Sequence, residues 1–107
     1  MRPGENRPNI LWICTDQQRY DTIGALGYPH IQTPHLDQLV SDGVAFSHAH
    51  CQSPICTPSR AAILTGQYSH RNGVYTLEDQ LDPSRDHVAK RLQGAGYQTA
   101  MIGKWHL

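Results

Sequence analysis

Apolar and polar positions change period several times along the chain, and each period predicts an element. Ile10-Leu11-Trp12-Ile13-Cys14 is apolar on both faces, which fits a buried central strand of a parallel sheet spanning Asn9 to Thr15. Arg7-Pro8 ahead of it favours an extended entry. Asp16 to Gln32, interrupted by Gly24, Gly27 and Pro29, reads as loop or broken helix. Leu36, Leu39 and Val40 then recur at helical spacing. Thr33 as N-cap, Pro34 at the first helical position and Gly43 as terminator predict an amphipathic helix from Pro34 to Asp42. Val44 to His50 alternates, with Val44, Phe46, His48 and His50 on one face, and predicts a second strand. Cys51 to Thr57 is a turn. Pro58 to Leu64 is a second helix, with Thr57 as N-cap and Gly66 as terminator. Gln67 to Leu81 reads as loop. Asp82-Pro83 repeats the cap-plus-proline signal, and Val88, Ala89, Leu92 and Ala95 form an apolar stripe closing at Gly94 or Gly96. Tyr97 to Ile102 predicts a third strand. Strands alternating with helices imply an α/β fold with crossover helices and a mostly parallel central sheet.

The chain has 107 residues, nine Lys and Arg against nine Asp and Glu, and seven His. A net charge of zero gives no electrostatic footprint for nucleic acid. No apolar run approaches the roughly 20 residues of a membrane span. Residues 1–12 hold no leader-like apolar core, so the expected location is cytoplasmic, or periplasmic or secreted if a segment precedes Met1. Three cysteines, an odd number, argue against a disulfide-stapled scaffold. Cys14, mid-strand, is expected in the core, and Cys51 is expected to pack rather than pair with Cys56. His48, His50, Cys51 and Cys56 could be read as a zinc cluster, but a structural zinc site needs four convergent ligands and no partner pair is evident.

The chemistry concentrates in Cys51 to Gly66. Cys56 lies just ahead of a helix start, where unpaired N–H groups and the helix dipole favour an anion. Arg60 follows within the first turns and adds a fixed charge with fork geometry for an oxyanion. The competing reading is an inert buried cysteine beside a self-capping helix.

The string Cys56-Thr57-Pro58-Ser59-Arg60, followed three residues later by Leu64-Thr65-Gly66, resembles the signature of the type I sulfatases, in the alkaline-phosphatase-like superfamily. The resemblance extends to Pro8-Asn9-Ile10-Leu11 leading to Asp16, to residues 33–39 and 43–46, and to Gly103-Lys104-Trp105-His106-Leu107. It implies an alkaline-phosphatase-like α/β fold and metal-dependent hydrolysis of sulfate esters. In that family the cysteine is oxidised by a maturing enzyme to formylglycine. One hydroxyl of the hydrated aldehyde attacks sulfur, and deprotonation of the other expels the sulfate. The resemblance implies catalytic roles for Cys56, Arg60, Lys104 and His106, the last as proton acceptor, for which an imidazole is suited near neutral pH. It implies a divalent cation, usually Ca²⁺, held by Asp16, Gln17 and the modified Cys56 side chain. An extended run would put Lys104 and His106 on one side and Trp105 on the other.

Gln17 departs from the commonest pattern, a second Asp, and resembles the Asp-Gln pair of phosphonate monoester hydrolases. The expected substrate is a sulfate ester, with a sulfated carbohydrate favoured; a phosphonate or phosphate ester is the alternative. A three-stranded sheet ending at Leu107 would leave open edges and an uncovered face. Residues 1–7 are therefore expected to form a tail and residues 8–107 the N-terminal part of a larger catalytic domain, incomplete at the C-terminus. A non-catalytic fragment is the remaining reading.

Overall fold

The computed structural model describes residues 7–107; residues 1–6, most of the expected tail, lie outside the described residues. The chain forms two compact units, Met1–Ser47 and His48–Leu107. The described elements are a 3-10 turn, Gly24–Leu26, and four helices: α1 (Pro34–Asp42), α2 (Cys56–Thr65), α3 (Ser69–Asn72) and α4 (Val88–Gly94).

In the first unit, α1 begins and ends where the sequence predicts. Its capping differs. The Thr33 hydroxyl makes no capping bond to a backbone N–H of α1; it accepts from the Gly24 N–H at 2.8 Å and donates to the Asp37 side chain at Oδ1, at 2.7 Å. Asp37 Oδ1 also accepts from the Ala25 N–H at 2.8 Å, so one carboxylate oxygen pins the 3-10 turn onto the first turn of α1. Gly24 permits that approach, since a Cβ there would lie 3.0 Å from Asp37 Oδ2. Gly43 stops α1 without a left-handed backbone; a Cβ there would meet the Leu39 carbonyl oxygen at 2.9 Å. Leu36 and Val40 are half-buried and, with Ile23, Leu26, Tyr20 and Phe46, line an open apolar hollow of about 350 Å³.

The second unit holds the fully buried core. Thr57, Pro58, Ala61 and Ala62 of α2 are buried, together with Asn72 and Val74. Small residues along this face let α3 approach closely. Gly66, at φ 66°, closes α2 by donating its N–H to the Ala62 carbonyl at 2.8 Å, as expected of a glycine C-cap. The loop expected over 67–81 contains the short α3. Buried Asn72 organises it: Nδ2 donates to the Gln67 carbonyl and Oδ1 accepts from the Val74 N–H, both at 2.9 Å.

Asp82-Pro83 does not start a helix. Asp82 Oδ1 accepts from the Ser84 N–H and hydroxyl at 2.8 and 2.7 Å, and its carbonyl accepts from the Arg85 N–H at 3.0 Å. This local turn competes with helix initiation and delays α4 to Val88. Lys90 Nζ then donates to the Pro83 and Arg85 carbonyls, lashing the turn to the helix.

The three expected strands are absent among the described residues. A strand requires ladder bonds to a neighbour, and among the described residues none of the segments 9–15, 44–50 and 97–102 is in such a ladder. Leu11, Phe46 and Ile102 are 83%, 80% and 95% exposed. Cys14 is exposed rather than in a core, and Cys51 is exposed rather than packed.

Candidate active site

Cys56 is the first residue of α2, with Ile55 rather than Thr57 at the N-cap. The N-cap residue makes no side-chain capping bond, and since Pro58 has no N–H, Cys56 and Thr57 carry the leading donors of this helix. The Cys56 thiol is half-buried, and none of Cys14, Cys51 and Cys56 is in a disulfide. Thr57, expected as the cap, is instead 1% exposed, and its hydroxyl has no partner among the described residues. Ser59 joins the first helical turn through its N–H, which donates to the Ile55 carbonyl at 3.0 Å.

Arg60, half-buried on α2, donates from Nη1 to the Lys104 carbonyl at 2.7 Å, across 44 residues of sequence. The structure thus brings the two strings of the sequence motif into direct contact. Lys104 and His106 are exposed. Gly103 has φ 108° and His106 φ 57°, so the segment is not a uniform extended run. The left-handed backbone at His106 turns its Cβ out of the alternation that would set Lys104 and His106 on one side.

Asp16 and Gln17 belong to the first unit, on a bend directly after the first extended segment. Both are exposed, and Gln17 has φ 54°. Among the described residues, Gln17 and His106 are the non-glycine residues with positive φ. A left-handed backbone is costly for either side chain and tends to mark functional positions. Glutamine gives no sign of that backbone in the sequence, and histidine, though enriched there, gives only a weak one.

Asp16 and Gln17 offer a carboxylate and an amide oxygen, the donor type a hard cation prefers. Ca²⁺ takes about six to eight oxygens. Among the described residues no group of three or more His, Cys, Asp or Glu side chains converges to hold a metal ion. The pair fits such a cation in chemistry and supplies only part of its shell.

Comparison with known proteins decides the family. The sulfatase family model matches residues 8–107. The chain belongs to the sulfatase family.

The sulfatase chain is 42% identical over 101 residues to an N-acetylglucosamine-6-O-sulfatase of Bacteroides thetaiotaomicron, covering 94% of this chain and 18% of that protein. It is 44% identical over 102 residues to an ulvan-active sulfatase of Formosa agariphila, covering 94% and 20%. The chain thus spans about one fifth of the length of these relatives. Among solved structures it superposes with TM-score 0.93 at 41% identity on one in complex with its substrate D-glucosamine-2-N,6-O-disulfate, covering 95% of this chain and 21% of that one. It superposes with TM-score 0.80 at 35% identity on the phosphonate monoester hydrolase of Agrobacterium radiobacter, covering 85% and 18%. The backbone therefore follows a course found in both solved structures.

Proposed function

We propose that the protein hydrolyses sulfate esters, with a sulfated sugar as substrate, through a formylglycine made from Cys56. The observation that carries this reading is the order of motifs in a sulfatase-family chain: Cys56 to Gly66 on α2, tied by Arg60 to Gly103-Lys104-Trp105-His106. The fold that accompanies it is a mostly parallel sheet flanked by helices, to which the three extended segments would contribute strands. The sugar preference is supported by the relatives: one is named for N-acetylglucosamine 6-O-sulfate, another for ulvan, and the similar solved structure holds a disulfated glucosamine.

Lys104 supplies positive charge for a sulfate oxygen as a point charge, and the Arg60 guanidinium would hold the formylglycine and neutralise charge near the metal. His106 accepts the proton whose removal releases the sulfate. The N-terminus of α2 adds N–H donors to the same anion. Asp16 and Gln17 would present oxygens to a divalent cation, which when bound supplies further positive charge. The maturing enzyme that oxidises the cysteine is the protein partner this reading requires.

Mass spectrometry of the peptide containing residue 56 tests the modification directly. An aldehyde is expected in the active protein, and Cys56→Ala is expected to abolish turnover of an aryl sulfate. An active protein carrying only the thiol would sink the reading. Gln17 and the likeness to the phosphonate monoester hydrolase favour a second reading, a phosphonate esterase on this scaffold. Paired kcat/KM values on an aryl sulfate and an aryl phosphonate monoester separate the two. A preference of several decades for the phosphonate would favour the second.

A further inference from the structure

We propose that Arg60 is a positioning residue, whose bond to the Lys104 carbonyl fixes the course of residues 103–106 and so the places of the Lys104 and His106 side chains. The segment has neither helix nor strand to hold it, and residues 103–106 are exposed. Yet it carries two left-handed positions, Gly103 at φ 108° and His106 at φ 57°. Such a backbone at a non-glycine residue persists only when its surroundings over-determine it. The tie enters at Lys104, between those two positions, at 2.7 Å. Its other end stands on a fixed base, because Ala61 and Ala62, the next residues of α2, are 0% and 1% exposed. A hydrogen bond from a charged donor is about twice as strong as one between neutral groups. A guanidinium has five N–H donors, so this tie is compatible with a second contact to an anion.

The consequence for turnover rests on the sulfatase reading; the tie itself does not. Trypsin cuts after lysine, so the carbonyl it attacks at Lys104-Trp105 is the one that accepts the bond. In the full-length protein, Arg60→Met removes the donors, and Arg60→Lys keeps the charge but loses the reach of the fork. Cleavage at Lys104-Trp105 is expected to accelerate on the order of tenfold or more in both, the equivalent of losing one hydrogen bond to a charged group. The Trp105 resonance of 5-fluorotryptophan-labelled protein, assigned with Trp105→Phe, is expected to shift and sharpen in both as the segment loosens. Circular dichroism checks the fold independently. A wild-type cleavage rate and an unmoved resonance in either folded variant would overturn the proposal. Loss of the fold in both variants would make Arg60 a structural residue and also overturn it. If the protein turns over an aryl sulfate, Arg60→Lys should lower kcat on the order of 10²-fold despite its retained charge, as expected for groups displaced by an ångström. Absence of turnover in the wild type would remove the sulfatase reading and leave the cleavage and resonance results standing.

Discussion

Gln17 and His106, at φ 54° and 57°, place two of the candidate site residues on a backbone that glycine tolerates and other residues resist. For His106 the consequence can be measured. His106→Ala keeps the left-handed penalty, whereas His106→Gly removes it, so the glycine variant is expected to be the more stable by about 1 kcal/mol. Both variants are expected to lose aryl sulfate turnover. Urea unfolding of the pair checks the order; an alanine variant as stable as the glycine variant would mean the left-handed backbone carries no penalty. Thr57 makes a second case. Its buried hydroxyl has no partner among the described residues, and such a group costs about 1–3 kcal/mol. Thr57→Val exchanges it for a methyl of similar shape, so thermal unfolding is expected at a higher temperature, by about 1 kcal/mol in stability. A lower midpoint would reveal a partner for the hydroxyl.

The helices α1 and α2 were legible in the sequence because their signals are local: a proline in the first turn, an apolar stripe, and Gly43 and Gly66 just past the ends. The start of α4 was not, because Asp82 offers the same cap signal to a helix and to a turn, and Ser84 satisfies it in the turn. The three expected strands are absent among the described residues, because a strand is completed by a neighbour that its own residues do not specify. The order of the site strings was legible, whereas the Arg60–Lys104 bond, spanning 44 residues, was not. Two element-level consequences follow. In Gly24→Ala the new Cβ would crowd Asp37 Oδ2 at 3.0 Å and Oδ1 at 3.3 Å, and Oδ1 is already held by Ala25 and Thr33. Crowding of this kind costs about 1–3 kcal/mol, against about 0.4–1 kcal/mol gained by restricting the unfolded chain. A net loss of about 1 kcal/mol is expected in urea unfolding, and a gain would show that Asp37 moves aside freely. In the loop after α3, Asp79 Oδ2 accepts from the Tyr75 and Thr76 N–H groups, both at 2.7 Å, and these bonds hold its carboxyl below the usual range. A folded-state value below the unfolded one means the bonds support the loop above the ordinary carboxylate range. That support fades as the pH falls through the lowered value. Amide exchange at Tyr75 and Thr76 is therefore expected to lose protection on acidification, once its intrinsic pH dependence is removed. Asp79→Asn should flatten that loss, and a pH-independent wild type would refute the assignment.

At the scale of the whole molecule, the distribution of apolar surface sets what the 107-residue chain can do by itself. Its fully buried apolar residues are Ala61, Ala62 and Val74 among those described, while Leu11, Ile13, Val44, Phe46 and Ile102 are 72–95% exposed. Those exposed residues lie on extended segments that are in no strand ladder among the described residues, so they add open edges to sticky surface. The 107-residue chain alone is expected to self-associate at micromolar concentration and to brighten a hydrophobic dye. Leu11→Lys with Ile13→Lys, two positions on one face of the first extended segment, should reduce both. Exposure bears on chemistry too. Asp16, Gln17, Lys104 and His106 all face water, where a charge pair at 4 Å is worth about 1 kcal/mol, against about 4 kcal/mol at an effective dielectric of 20. Groups so screened cannot stabilise a developing sulfate charge as a closed site does. The same chain is therefore expected to show no aryl sulfate turnover above buffer, even with an aldehyde at residue 56. Sedimentation velocity, dye fluorescence and a turnover assay on one preparation check these outcomes together. A monomeric, dye-silent and active 107-residue chain would mean that the exposed segments need no cover and that water does not disable the site.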